Sequence, residues 1–416
     1  MIARDLLTSI VATVVSAPLV TWYFGRLSII APLANLAAGP VIGVLQPMLF
    51  LALVCAPVPL VAHFVASAAH PLLRAFDGIA IIASSVPGSS VQVAPTLMAA
   101  VGASAAVGSL LVAALSRYPG RPLVAAGAAM AVVAWAPAIH LPYSGKVELH
   151  VLDVGQGDAI LVRTDKGSWV LVDAGRVWNS GDAGRSTVIP YVMRRGGTLA
   201  SFILSHAHSD HVGGAASVFR ALHPRTFWDA AFVQGSAVYD KSLRAARDAG
   251  VEWHRVHPGD ELDVDGVAIE FLAPDSAWTA SLNDPNLAST INLIRFGSVR
   301  FLLVGDAEAP EERWLLDHAR AELHADVLKV GHHGSSTSSG DEFLAAVHPA
   351  VAIISVGADN PYGHPSPDVI AALGRAGARV MRTDQLGTIV VSTDGRTATV
   401  EAEGKRWAIS SVSPGH

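Results

Sequence analysis

The run Ser205-His206-Ala207-His208-Ser209-Asp210-His211 carries the strongest chemical signal in this 416-residue chain. The apolar residues 202–204 lead into it and predict a strand that ends where the histidines begin. Two histidines spaced i and i+2 can bind one ion, and Asp210 and His211, at the start of the next helix, can reach a second. Imidazole and carboxylate suit Zn²⁺ and Mn²⁺. The run therefore predicts a metal centre at a strand end; the alternative is a polar, histidine-rich loop.

Three further runs place polar residues after apolar strands. They are Val172-Asp173-Ala174-Gly175, Leu303-Val304-Gly305-Asp306 and Lys329-Val330-Gly331-His332-His333-Gly334-Ser335. An aspartate in such a place is often a turn residue or a helix cap, and a histidine there can be buried and hydrogen-bonded. The order of these runs around residues 206–211 favours a shared site instead.

The pattern His206-x-His208-x-Asp210-His211 resembles the signature of the metallo-β-lactamase superfamily, which folds as an α/β (αββα) sandwich of two facing sheets. The resemblance implies two divalent metal ions, Zn²⁺ or Mn²⁺. It implies these ligands: His206 and His208 on the first metal, and Asp210, His211 and His332 on the second. Asp306 is expected to bridge the metals, and Asp173 to orient the ligand loop.

Many superfamily members supply a third histidine to the first metal. Here that region offers His223, His254 and His257, none of which follows a strand in the expected context, and Ala273-Pro274-Asp275 occupies the expected place. The first metal is therefore expected to be more open, which favours Mn²⁺ as much as Zn²⁺.

Further residues are candidates for contacts around the metals. Asp210 and Asp306 are catalytic candidates, and Lys329, Ser335 or His364 are expected to steady a phosphate or protonate a leaving oxygen. His333 either contacts the ligands or substrate or is structural, and His364 lies in a loop that a simple turn also explains. Asp153 and Asp158 belong to the glycine-containing run Asp153-Val154-Gly155-Gln156-Gly157-Asp158-Ala159, whose backbone can approach a ligand closely.

Several motifs together resemble the C-terminal domain of the ComEC family, the inner-membrane channels of bacterial DNA uptake. They are residues 153–159, Asn292 after Ser289, Gly305-Asp306, residues 329–335, Tyr362-Gly363-His364-Pro365 and Asp384-Gln385-Leu386-Gly387. Residues 24–36 and Gly39-Pro40 are similar to the last portion of that family's membrane region. ComEC proteins normally begin with further transmembrane helices and an OB-like domain, which are not found here, so we expect a fragment, a split gene product or a misassigned start.

Charge divides the chain sharply. Residues 1–145 hold five Lys/Arg and two acidic residues, whereas the remaining 24 Lys/Arg and 33 Asp/Glu lie from Lys146 onward. So few charges over that length do not suit a water-exposed surface. We therefore predict transmembrane helices over 1–145, a metallo-β-lactamase-fold domain over 146–410 and a disordered tail over 411–416. Cys55 is the only cysteine, so no disulfide forms within the chain.

Four to six apolar segments are expected before Lys146. The clearest are residues 6–24, 97–115 and 123–139, each close to the length of a membrane span. Residues 27–58 are predicted to break at Gly39-Pro40, and residues 61–84 to form an amphipathic segment. Arg117 and Arg121 lie between the last two clear spans and favour a cytoplasmic loop, which puts the hydrolase domain on the outer side of the inner membrane.

From Lys146 onward, short β-rich runs alternate with helical patterns, as expected for packed sheets covered by helices. Strands are predicted over 147–153, 159–163, 169–173, 201–205, 268–272, 299–304, 326–330, 351–355 and 388–392. Helices are predicted near 212–221, 241–249, 310–321, 342–347 and 367–376.

The leading hypothesis is a membrane-tethered metal-dependent nuclease that hydrolyses DNA outside the membrane during import. Its expected partners are single-stranded DNA, the lipid bilayer, and other competence proteins or a missing N-terminal channel part. One alternative is a surface metallohydrolase acting on another phosphodiester, such as a phosphocholine ester. The other is a non-catalytic channel component that guides DNA. The net charge of −6 shows no broad basic surface for nucleic acid.

Overall fold

The computed structural model describes residues 2–24, 26–86, 88–93, 97–135, 145–232, 236–282 and 284–409. The chain divides into two compact units, Met1–Ile139 and His140–His416. The predicted tail over 411–416 and the predicted end of the last apolar segment, residues 136–139, lie outside the described residues.

The N-terminal unit is helical. Its elements are α1 (Ile2–Phe24), β1 (Arg26–Ser28), α2 (Ala31–Val54), α3 (Pro59–Ala68), α4 (His70–Ser85), β2 (Ser90–Gln92), α5 (Leu97–Leu115) and α6 (Gly120–Trp135), with β1 and β2 paired antiparallel. Four stretches among the described residues are long and apolar enough to cross a membrane: Arg4–Trp22, Ala31–Val54, Pro59–Ser85 and Met98–Leu115. The predicted helical membrane segment is thus confirmed.

The predicted break at Gly39-Pro40 is wrong. Helix α2 continues through it and also contains Pro47. A proline removes one backbone donor from a helix, but in apolar membrane helices neighbouring helices and local adjustments compensate for that loss. The segment predicted over 61–84 forms α3 and α4, which together make one of the four candidate spans.

The C-terminal unit contains two main sheets. Its strands are β3 (Val147–Val151), β4 (Ile160–Arg163), β5 (Trp169–Val172), β6 (Val177–Trp178), β7 (Gly181–Asp182), β8 (Leu199–Ile203), β9 (Thr226–Asp229), β10 (Glu252–Arg255), β11 (Glu261–Val264), β12 (Val267–Ala273), β13 (Ile291–Phe296), β14 (Val299–Leu303), β15 (Val327–Lys329), β16 (Val351–Ile354), β17 (Arg379–Arg382), β18 (Ile389–Thr393), β19 (Ala398–Ala402) and β20 (Lys405–Ile409). The first sheet has the order β10-β9-β8-β5-β4-β3-β18-β19-β20, and the second has the order β11-β12-β13-β14-β15-β16-β17.

Helices cover both sheets. They are α7 (Ile189–Arg195), α8 (Ser209–Val212), α9 (Ala215–Leu222), α10 (Ala237–Asp248), α11 (Ser276–Ser281), α12 (Ala309–His318), α13 (Asp341–Val347), α14 (Pro367–Arg375) and α15 (Thr383–Leu386). One apolar core lies between the sheets, because the inward side chains of both sheets, such as Val162 and Phe301, pack together. A second core joins the first sheet to α7, α9 and α10, and a third joins the second sheet to α12, α13 and α14. The layers are therefore helix, sheet, sheet, helix, which confirms the predicted sandwich.

The predicted strands and helices of this unit all correspond to observed elements, with ends that differ by a few residues. The strands that were not predicted include β9, β10, β17, β19 and β20. Of these, β10 and β20 end the first sheet and β17 ends the second. Edge strands carry polar, exposed side chains, so their sequences lack the apolar pattern that identifies a central strand.

Candidate metal centre

The residues singled out by sequence follow neighbouring parallel strands. In the first sheet β5 and β8 are parallel, and Asp173 and the run 206–211 follow their carboxyl ends. In the second sheet β14, β15 and β16 are parallel, and Asp306 and the two histidines 332 and 333 follow β14 and β15. Carboxyl ends of parallel strands meet at one edge of a sheet. The fold therefore brings these loops together at one edge of the sandwich.

Asp173 holds the loop of residues 205–211 by hydrogen bonds. The residue is buried and has a positive φ of 60°, a region that aspartate tolerates better than most residues. Its Oδ1 accepts a hydrogen bond from the Ser205 backbone N–H at 2.7 Å, and its Oδ2 accepts from Ser205 Oγ at 2.6 Å. Its Oδ2 also accepts from His211 Nδ1 at 2.7 Å. Asp173 thus fixes both the start of the loop and the tautomer of His211.

Asp306 lies at the centre of the site. Its Oδ2 is 3.3 Å from His211 Nε2, 3.5 Å from His333 Nε2 and 3.9 Å from His206 Nε2. Gly305 before it has φ +50°, and a Cβ there would lie 2.8 Å from Ser205 Cβ. Only glycine lets the Asp306 strand end approach the histidine loop this closely.

Asp210, His211, Asp306 and His333 form one compact group. Each offers a ligand atom, and these atoms all lie within 4.8 Å of one another. Gly157 lets a neighbouring loop pack against Asp210, because a Cβ at Gly157 would lie 2.2 Å from the Asp210 carbonyl oxygen. We call Asp210, His211, Asp306 and His333 the central cluster.

His333 occupies the place in this group that the sequence assigned to His332. His333 is buried, and its Nδ1 donates to the Ser355 carbonyl oxygen at 2.8 Å, so its Nε2 faces Asp210 Oδ2 at 3.5 Å. His332 lies at the rim, with Nδ1 3.0 Å from Glu308 Oε1 and Nε2 3.9 Å from Asp306 Oδ2. Both histidines have positive φ, so the tight turn, rather than strand alternation, sets their directions.

His206 and His208 lie beside the central cluster. His206 Nε2 and His208 Nδ1 are 3.1 Å apart, and the His206 and His211 ring centroids are 4.2 Å apart. The three histidines that the sequence offers in the region of the expected third ligand lie elsewhere: His223 ends α9, His254 stacks on Trp228, and His257 pairs with Asp260. Asp275, in the run 273–275, caps α11.

Lys329 lies beneath the cluster, away from solvent. It is 1% exposed, contacts the buried Asp158 carboxylate, and donates to the Gly305 carbonyl oxygen at 2.9 Å. Its Nζ is 3.7 Å from Asp306 Oδ1. This position differs from the phosphate contact expected from sequence, because the side chain contacts protein groups beneath Asp306.

The other candidates lie outside the central cluster. Asp153 is exposed and accepts from the Gly155 N–H in a turn. Ser335 bonds to Thr337 within its own loop. His364 is partly exposed at the rim, with its ring centroid 5.7 Å from that of His332. Asn360 holds the His364 loop, since its side chain bonds to both backbone groups of His364.

Sequence reasoning missed two supporting residues. Ser205 connects Asp173 to the histidine loop, and Glu308 faces His332. Ser205 was visible as the residue before the first histidine, but serine is common in loops. Glu308 precedes α12, whose first turn is also acidic, so the sequence gives no sign that Glu308 rather than its neighbours contacts the site.

Charges in the cluster are strongly coupled. Burial acts to lower the pKa of His211, but the carboxylates of Asp306, Asp173 and Asp210 outweigh it and raise that pKa well above its usual value. Burial acts to raise the pKa of Asp306, but the imidazoles of His333 and His211 hold it well below the usual range. The carboxylates therefore attract positive charge to the centre of the cluster.

The residues fit a divalent cation. His211 Nε2, His333 Nε2 and Asp306 Oδ1 are buried and have no hydrogen-bond partner among the described residues. Buried polar atoms without a partner are costly, and here the imidazole nitrogens face carboxylates. Imidazole and carboxylate are the donor set of Zn²⁺ and Mn²⁺ sites.

Comparisons with known proteins agree with this architecture. Residues 152–358 match the family model described as metallo-beta-lactamase superfamily, and residues 1–118 match the model described as competence protein. ComE operon protein 3 of Bacillus subtilis is 32% identical over 70% of this chain and 38% of that protein. Recombination protein 2 of Haemophilus influenzae is 34% identical over 59% of this chain and 29% of that protein. Competence protein ComA of Neisseria gonorrhoeae is 30% identical over 91% of this chain and 50% of that protein.

The chain spans half or less of the length of these relatives. Among solved structures, the metallo-beta-lactamase fold protein YhfI from Bacillus subtilis is 14% identical, with a TM-score of 0.39, over 60% of this chain and 100% of that one.

The sheet order, the ligand loops and the family model define the C-terminal unit as a domain of the metallo-β-lactamase superfamily. The competence domain matched at residues 1–118 and the apolar helices indicate a membrane protein that is similar to the ComEC family of competence proteins.

Proposed function

We propose that this protein is a membrane-tethered, metal-dependent phosphodiesterase that hydrolyses DNA on the outer side of the bacterial inner membrane during DNA import. The observation that carries the proposal is the convergence of Asp210, His211 and His333 on Asp306 Oδ2, with buried imidazole nitrogens left unpaired. The likeness to competence proteins supports DNA as the substrate, and the charge of Arg117 and Arg121 supports the outer location.

The two metal positions are expected to differ. The central cluster offers four ligand atoms within a small volume, whereas His206 and His208 are not part of that cluster, and His206 Nε2 lies 3.9 Å from Asp306 Oδ2. We therefore expect one tightly held ion and one weakly held ion, Zn²⁺ or Mn²⁺. Bound divalent ions lower the pKa of water and neutralise charge on a phosphoryl group.

The chain's own residues prepare the site for that chemistry. Asp173 and the Ser355 carbonyl fix the tautomers of His211 and His333, which keeps each Nε2 aimed at the centre. Lys329 balances the charges of Asp158 and Asp306 from beneath. His332 and His364 stand at the rim, where a phosphodiester oxygen or leaving group can reach them, and we propose His364 as the phosphate contact or proton donor.

The test uses the purified full chain in detergent with Mn²⁺ or Zn²⁺. Substrates are single-stranded DNA, duplex DNA, bis-p-nitrophenyl phosphate and glycerophosphocholine. We expect DNA hydrolysis that Asp210→Asn abolishes, while Asp275→Asn, which changes a helix cap away from the cluster, retains activity. Hydrolysis of small diesters but not of DNA would favour another surface phosphodiesterase. DNA binding without hydrolysis, unchanged by His208→Ala, would favour a non-catalytic guide.

A further inference from the structure

A cavity of about 660 Å³ lies beside the metal centre in the C-terminal unit. Its walls come from residues 153–156, from Arg176 and Trp178 at the hairpin of β6 and β7, and from residues 357–361. Small-molecule sites have volumes in this range. We call this space the side cavity.

Two loops connect the side cavity to the metal centre. Gln156 lines the cavity, and two residues further on the Asp158 N–H donates to the Asp210 carbonyl oxygen at 3.3 Å. Asn360 also lines the cavity, and its side chain bonds to both backbone groups of His364 at the rim. The side cavity therefore borders the place where a phosphodiester would bind at the metal centre.

Trp178 gives the side cavity a flat aromatic surface. The residue lies in the hairpin of β6 and β7 opposite Gly181, and its side chain is 38% exposed. A Cβ at Gly181 would lie 3.1 Å from Trp178 Nε1, so glycine lets the ring lie against the hairpin. The Arg176 guanidinium is 5.8 Å from the ring centroid, within the range of a cation–π contact. An exposed indole ring held in this way offers a surface on which a nucleobase can stack.

Carboxylates make the rest of the cavity wall unsuitable for phosphate. Asp153 and Asp359 are exposed there, and Asp384, which also lines the cavity, forms an ion pair with Arg382. A carboxylate repels phosphate but accepts a hydrogen bond from the amino group of a base, such as cytosine N4. Arg176 beside the indole ring would repel a quaternary ammonium group such as choline. The cavity therefore fits a flat, neutral group that donates hydrogen bonds.

We propose that the side cavity is a nucleobase subsite, in which Trp178 stacks on a base of the DNA strand bound at the metal centre. This inference rests on the proposed function, because it takes DNA as the substrate, and it adds a base preference. Cytosine should bind better than thymine, which carries a carbonyl oxygen where cytosine carries its amino group.

Binding of short fluorescent single strands to the purified full chain in detergent tests the subsite. The background is Asp210→Asn, so that the strand stays intact, and fluorescence anisotropy gives the dissociation constant Kd. Oligo-dC should bind more tightly than oligo-dT, and Asp359→Asn should narrow that difference. Trp178→Ala should raise the Kd for oligo-dC about 5- to 150-fold, as expected for the loss of one stacked base.

Two further variants serve as controls. Trp178→Phe keeps an aromatic face and should lose much less affinity than Trp178→Ala. Trp253→Ala removes an exposed tryptophan on the edge strand β10, whose Nε1 donates to Asp229 outside the central cluster, and should bind oligo-dC as the background does. An unchanged Kd in Trp178→Ala, or no binding of either strand, would overturn the proposal. So would displacement of the strand by choline, which would assign the cavity to a quaternary ammonium group.

Cleavage assays with native Asp210 separate this proposal from the proposed function. If the chain cleaves DNA and Trp178→Ala leaves the KM for oligo-dC unchanged, the subsite is wrong and the nuclease activity stands. If the chain binds oligo-dC through Trp178 but cleaves no DNA, the subsite stands and the proposed nuclease activity is wrong.

Discussion

Asp173 Oδ2 and His211 Nδ1 lie 2.7 Å apart, and this hydrogen bond determines which nitrogen of His211 remains for the cluster. Because the carboxylate only accepts, Nδ1 carries the proton, and Nε2 is left 3.3 Å from Asp306 Oδ2. Asp173, which follows β5 in the first sheet, thus orients His211 toward Asp306, which follows β14 in the second sheet.

Asp173→Asn is expected to lower metal affinity by about 10- to 100-fold, because the amide no longer holds His211 in one tautomer. Titration of metal-free protein with Zn²⁺ measures the change. Asp229→Asn is the matched control, since Asp229 is also buried and hydrogen-bonded, to Tyr239 and Trp253, outside the cluster. Equal losses of affinity in both variants would point to general damage to the fold.

The two adjacent histidines give a sharper comparison. His333→Ala removes an imidazole of the central cluster and should lower metal affinity by about 100-fold or more, whereas His332→Ala removes a rim residue and should cost far less. The same titration measures both. If His332→Ala instead lowers metal affinity more than His333→Ala does, His332 is the ligand, as the sequence suggested.

These histidines also show where sequence reasoning ends. Asp173, Asp306 and the run 206–211 were predictable because each follows an apolar strand, and parallel strands bring such positions to one edge. Which of His332 and His333 points inward depends on two positive φ angles in a tight turn, and no periodic pattern encodes that. The contact between Lys329 and Asp158 was also not predictable, because the two residues lie far apart in the sequence.

The same limit applies to the fold. The central strands were visible as apolar runs, but polar edge strands such as β10 and β20 were not. The unbroken helix through Pro40 and Pro47 was missed because local propensity disfavours proline, whereas the apolar surroundings tolerate it.

Lys329→Met should destabilise the C-terminal unit by about 3–5 kcal/mol, because it leaves the Asp158 carboxylate buried without its cation. Adding Asp158→Asn should recover part of that loss. Denaturant unfolding of the single and double variants measures both changes. If the two losses of stability simply add, the Lys329–Asp158 pair does not stabilise the fold, and Lys329 acts by another route.

Glu312 should make stability depend on pH. Burial raises the pKa of Glu312 from 4.5 to about 7, while the Gly340 and Ser339 N–H groups donate to it. A carboxyl with a raised pKa stabilises the fold fully below pH 4.5, and that contribution is lost as the pH rises through 7. Unfolding measured from pH 5 to 8 should therefore show a decline that is shallower in Glu312→Gln. If the free energy of unfolding falls equally with pH in Glu312→Gln and in the wild type, Glu312 is not the cause of the fall.

Metal content measured together with DNA hydrolysis, in the wild type and in Asp306→Asn, tests whether Asp306 holds a catalytic metal. We predict that the wild type binds a divalent metal and cleaves DNA. In Asp306→Asn, with the same circular dichroism spectrum, metal content and cleavage should both fall by about 100-fold or more. An Asp306→Asn protein that keeps its metal and cleaves DNA at the wild-type rate would show that Asp306 is not needed for metal binding or for hydrolysis.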